Sequence, residues 1–74
     1  MEFDFNRLKG RMREKGFSQK NLAKSIGIAE STLNQKLNNK LDFGLNEAFM
    51  ICGILDIQDP TDYFFNQKLS NSKE

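Results

Sequence analysis

Ser31, Asn34, Gln35 and Asn38 recur at three- and four-residue spacing, which on a helix sets a hydroxyl and three carboxamides along one face. These groups donate and accept hydrogen bonds without carrying charge, the chemistry needed to read the polar edge of another molecule. Gln35 matches the N6 and N7 edge of adenine, Asn34 can do the same if suitably angled, and Ser31 serves donor or acceptor edges alike. Glu30, at the start of the segment, can accept from cytosine N4 or favour the positive end of its own helix.

Catalytic chemistry is poorly supplied. The 74 residues include no histidine and a single cysteine, Cys52, so no Ser-His or Cys-His couple, zinc-finger ligand set or disulfide framework can be assembled. The carboxylates are scattered at helix starts, where capping explains them. No enzyme, metal or cofactor is expected, and Cys52, on an apolar helical face, reads as a buried core thiol. Met1 to Phe5 lacks the basic start of a signal peptide, and the longest apolar stretch, Ala48 to Leu55, is short and broken by Gly53. A cytoplasmic, membrane-free setting is expected.

The net charge of +1 conceals an asymmetry. Residues 1–40 carry nine basic and four acidic side chains, whereas residues 41–74 carry two basic and six acidic ones. One polyanion-facing side would produce this balance, and so would a mixed solvated surface.

The elements that must position these side chains all read as helices, because apolar residues recur at three- and four-residue spacing. The first is expected after an Asp4 cap, with Phe5, Leu8 and Met12 inward and an end near Gly16; Phe3 is placed to staple onto Leu8. The second follows Ser18 and stops at Gly27. The third runs from about Glu30 to Leu37 or Asn38. A loop through Asn39 to Phe43 leads to a fourth helix capped by Gly44, with Ala48, Ile51, Cys52 and Leu55 inward and Phe49, Met50 and Ile54 widening that face. Asp59-Pro60 starts a short fifth helix holding Tyr63, Phe64 and Phe65. Gly10 and Gly53 interrupt helices, which suggests close helix packing. The domain is expected over residues 1–66, with 67–74 a flexible C-terminal tail.

The second and third helices share features that answer one steric problem. Two helices crossing steeply through a short turn need a small residue at the approach, Ala23, and one tolerant of positive φ at the corner, Gly27. Leu22, Ile26, Leu33 and Leu37 supply the apolar wedge between them.

Over residues 5 to about 57, with Ser18-Gln19, Leu22-Ala23, Ile26-Gly27 and Leu33 as its most specific part, the chain resembles the helix-turn-helix domains of lambdoid phage repressors and Cro proteins, the xenobiotic-response-element type. It is also similar to short Cro-like prophage proteins with a Tyr-Phe-Phe-type ending. The resemblance implies an all-α, compact five-helix lambda-repressor-like domain with the helix-turn-helix at helices 2 and 3. It further implies a sequence-specific transcriptional regulator bound to a pseudo-palindromic double-stranded DNA operator as a homodimer, in a bacterial host and nucleoid-associated when bound.

Carried over by position, the resemblance places the recognition helix, about 30–38, in the major groove, with Glu30, Ser31 and Gln35 at base edges; helix geometry adds Asn34. Phosphate contacts are expected from Ser18 and Gln19 with the amides there, from Asn38 and from Lys40, while Lys20, Lys24, Lys36 and Arg11 add only diffuse attraction. Two departures stand out. Many phage repressors pair an arginine in the first helix with a glutamate ending the recognition helix; Met12 and Leu37 occupy those positions, so no such ion pair is expected. Ala29 offers no side-chain oxygen at the cap of the third helix.

Tyr63, Phe64, Phe65 and Leu69 are candidates for the dimer surface, since three consecutive aromatics cannot all face one small core. The alternative reading is a protein-interaction module, such as an antirepressor, that uses this aromatic C-terminal region.

Overall fold

The structure, a computed structural model, describes residues 3–65. The tail expected over 67–74 and the dimer candidate Leu69 lie outside the described residues. The described residues form five helices: α1 (Asn6–Glu14), α2 (Gln19–Ile26), α3 (Glu30–Leu37), α4 (Leu45–Leu55) and α5 (Pro60–Phe64). The all-α, five-helix architecture is therefore the one expected.

α2 and α3 form the corner that the motif demands. The Ser18 hydroxyl accepts the Asn21 amide at 3.1 Å and so caps α2. At the other end Gly27 takes φ 80°, a left-handed conformation that a side chain would oppose by roughly 1 kcal/mol. Its amide and that of Ile28 return to α2 carbonyls, closing the helix as the chain turns into α3. Ala29 precedes α3 in extended conformation without a side-chain cap, as its methyl group dictates.

The core is one cluster. Leu8 and Met12 of α1, Leu22, Ala23 and Ile26 of α2, and Leu33 and Leu37 of α3 meet Ala48, Ile51, Cys52 and Leu55 of α4. Met12 and Leu37 are both buried in the apolar cluster, so these two positions hold apolar packing and no ion pair, as expected. Phe5, Phe43 and Phe64 close the cluster edge-to-face, with ring centroids 5.3 and 5.1 Å apart.

Four local expectations need correction. α1 is capped by Phe5, one residue later than expected, while the Asp4 carboxylate accepts the Asn6 amide at 2.9 Å. Phe49 and Met50 do not widen the inner face of α4; both are exposed, because their turns of the helix point away from α2 and α5. Nothing approaches within 4 Å of a Cβ built at Gly10 or Gly53, so neither glycine marks close packing. Phe64 is 3 % exposed and belongs to the core, leaving Tyr63 half-buried and Phe65 exposed as the surface part of that aromatic run.

Candidate nucleic-acid interface

Glu30, Ser31, Asn34 and Gln35 of α3, together with Gln19 at the start of α2, line one shallow surface depression of about 400 Å³. The α2–α3 crossing produces this grouping: burying Leu33 and Leu37 turns the opposite face of α3 to solvent beside the first turn of α2. Four of these residues are exposed and Gln19 is partly so.

The carboxamides are ordered by one another. Asn34 Nδ2 donates to Gln19 Oε1 at 3.1 Å, and Asn38 Nδ2 donates to the Asn34 carbonyl and side-chain oxygens at 2.9 and 3.1 Å. Asn34 is thereby a linking residue as well as a base-reading candidate. Ser31 and Gln35 make no side-chain hydrogen bond to another described residue, so their polar groups face solvent unspent. The Ser18 hydroxyl accepts its helix-capping bond and keeps its O–H to donate, beside the first amides of α2. Lys40 is exposed in the loop after α3.

Two basic side chains expected to add diffuse attraction instead hold the fold together. Lys36 Nζ lies 2.9 Å from Glu47 Oε1 and donates to the Asp42 carbonyl at 2.8 Å, 5.9 Å from the Phe43 ring centroid. The same Glu47 oxygen accepts the Gly44 amide at 2.9 Å, joining the end of α3 to the start of α4. That amide bond, assisted by Lys36 and opposed by partial burial, holds the Glu47 carboxyl below its ordinary value of 4.5. Arg11 Nε donates to the Leu55 carbonyl at 2.9 Å and Nη2 to the Asp56 carbonyl at 3.0 Å, covering the last carbonyls of α4. The basic spacing in sequence gave no sign of either role; Glu47 three residues after Gly44 was the one available signal.

A second surface lies beyond the α3–α4 loop. A groove of about 650 Å³ is lined chiefly by Phe3, Leu41, Phe43, Leu45, Phe64 and Phe65. Asn39, at φ 63°, clamps the N-terminal segment beside it: the Phe3 amide donates to Asn39 Oδ1 at 2.8 Å, and Asn39 Nδ2 donates to the Phe3 carbonyl at 2.9 Å. Tyr63 is turned aside under the Arg7 guanidinium, 5.8 Å from its ring centroid.

The architecture and this surface define a small five-helix domain with a helix-turn-helix corner. The chain belongs to the family described as "Protein of unknown function (DUF739)", whose model matches residues 1–67. It is similar to the solution structure of the modulator of repression (MOR) of the temperate bacteriophage TP901-1 from Lactococcus lactis. The identity is 35%, the match covers 95% of this chain and 97% of that one, and the TM-score is 0.73. No curated protein matches. These likenesses indicate a phage regulatory protein without singling out the repressor and Cro group that the α2–α3 sequence resembles. Among the described residues no helix is long and apolar enough to cross a membrane.

Proposed function

We propose that this protein regulates a phage-type repression circuit by binding double-stranded DNA, with α3 in the major groove. The observation that carries this reading is the exposed, nearly uncharged polar row of α3 set beside the start of α2. Ser31 and Gln35 contact base edges, and Asn34, held between Gln19 and Asn38, fixes the register of the two helices on the duplex. Phosphates are met by the first amides of α2, by Asn38 and by Lys40. Glu30 serves the positive end of its helix, or accepts from cytosine N4 where the operator supplies it. This reading takes residues 1–66 as the functional domain, acting in the cytoplasm of a bacterial host without an enzymatic step.

Selection from a random duplex library, followed by titration of the selected site, tests it. Gln35→Ala is expected to cost about 1–3 kcal/mol and to relax preference at one position. Lys40→Ala should weaken all sequences alike and lower the salt slope by about 1.

A second reading, regulation through protein contact, has its own support. Leu41, Leu45, Phe49 and Phe65 are exposed large apolar side chains, and the similar TP901-1 protein is titled a modulator of repression. No salt-dependent binding to any duplex, with a protein captured through this surface, would favour it over the first.

A further inference from the structure

We infer that Lys9, with Asn6 and Asn39, forms a separate seat for one backbone phosphate of the duplex, beside the last turn of α3. A hollow of about 130 Å³ lies where the start of α1 meets the end of α3, and Asn6, Lys9, Asn38 and Asn39 stand on its wall. That space holds roughly four water molecules and is too small for a drug-sized ligand, which takes about 300 Å³ or more. A single tetrahedral oxyanion is a ligand of the right scale.

One device brings these residues together. α3 ends in a left-handed turn at Asn39, φ 63°, with the Asn39 amide returned to the Lys36 carbonyl and the Lys40 amide to the Gln35 carbonyl. Glycine adopts that conformation readily, but asparagine tolerates it and also supplies a carboxamide. The carboxamide grips the amide and the carbonyl of Phe3, which sets the segment leading into α1 against the end of α3. Lys9 and Asn38, far apart in sequence, thereby share one hollow. Asn38 also donates to the Asn34 side chain, so the hollow adjoins the polar row of α3.

The donors left over suit an anion. Lys9 makes no ion pair with another described residue. The Asn6 carboxamide makes no hydrogen bond to one, since only the Asn6 backbone amide is engaged, by Asp4. Asn39 Nδ2 spends one of its two hydrogens on the Phe3 carbonyl and keeps the other. Asp4 lines the same hollow and opposes an anion there. One of its oxygens already accepts the Asn6 amide, and the Lys9 ammonium on the same wall offsets its charge. Removing the Lys9 charge and removing the Asp4 charge should therefore move duplex affinity in opposite directions.

The inference rests on duplex binding by the α3 face and adds a contact from α1. Fluorescence anisotropy of the full chain with a selected duplex, from about 50 to about 200 mM salt, tests it. Lys9→Gln should bind more weakly with base preference unchanged, and its loss of affinity across that salt range should be about threefold smaller than the parent's, one counterion's worth. Asp4→Asn, which keeps an acceptor for the Asn6 amide, should bind more tightly. Both residues are partly exposed, so both variants should keep the circular dichroism of the parent. Duplexes in which single phosphates are replaced in turn by neutral methylphosphonates separate a seated phosphate from diffuse attraction. At one position the replacement should weaken the parent but not Lys9→Gln, the non-additivity that direct contact requires. A salt dependence unchanged in Lys9→Gln overturns the inference and leaves the α3 reading standing. So do methylphosphonate losses that add to the Lys9→Gln loss at every position, and an Asp4→Asn chain that binds no more tightly than the parent. A parent that binds no duplex overturns both.

Discussion

Gln35 and Lys36 are neighbours in sequence with opposite surroundings, because successive residues of a helix point about 100° apart. Gln35 faces solvent, whereas Lys36 is turned toward α4 with its ammonium between Glu47 and the Asp42 carbonyl. Lys36→Met should therefore cost about 1–3 kcal/mol in urea unfolding, by leaving the Glu47 carboxylate with one backbone donor and the Asp42 carbonyl with none. Gln35→Ala should stay within about 0.5 kcal/mol of the parent in the same measurement. The depressed pKa of Glu47 adds a pH signature. A carboxyl held lower in the folded state than in the unfolded chain contributes its full stability above its ordinary value of 4.5 and loses it as pH falls through the folded value. Stability should decline on acidification below that point, and Glu47→Gln should be both less stable at neutral pH and less sensitive to acid. A variant as acid-sensitive as the parent would show that the Lys36–Glu47–Gly44 link is not formed.

At the scale of the helices, the two kinds of glycine call for opposite substitutions. Gly53 lies inside α4 with open space where a Cβ would sit, so Gly53→Ala should raise stability by about 0.5–1 kcal/mol through helix propensity. Gly27, at φ 80°, should lose roughly 1 kcal/mol on the same change, because alanine resists the left-handed corner between α2 and α3. Thermal unfolding of the two variants side by side checks both signs. The ends of the helices were legible in sequence wherever one residue dictates them: the Ser18 cap, the Gly27 corner and Pro60 at the start of α5 each stand where expected. Asp4 was displaced as the cap of α1 because Phe5 is drawn into the aromatic cluster with Phe43 and Phe64. Phe49 and Met50 could not be placed from sequence because α4 is apolar nearly all round, and periodicity cannot choose a buried face when every face qualifies.

For the molecule as a whole, the inner wedge and the polar face of α3 could be read from residue types, since burying Leu33 and Leu37 fixes where Ser31, Asn34 and Gln35 must point. What could not be read were the long-range partners. Arg11 reaching the last carbonyls of α4, and Asn39 clamping Phe3, join residues 36 to 45 positions apart, and local spacing carries no trace of such contacts. Arg11 and Lys36 brace the fold, whereas Lys20, Lys24 and Lys40 are exposed to solvent. In the proposed complex the α3 face and Lys40 contact duplex DNA. The most direct measurement is fluorescence anisotropy of the parent chain with a selected labelled duplex across a series of salt concentrations, repeated with Lys40→Ala and Gln35→Ala. Affinity falling linearly in log–log form with salt, a slope smaller by about 1 for Lys40→Ala, and lost base preference for Gln35→Ala are the predicted results. Binding that is absent at low salt, or that neither substitution alters, would contradict the claim.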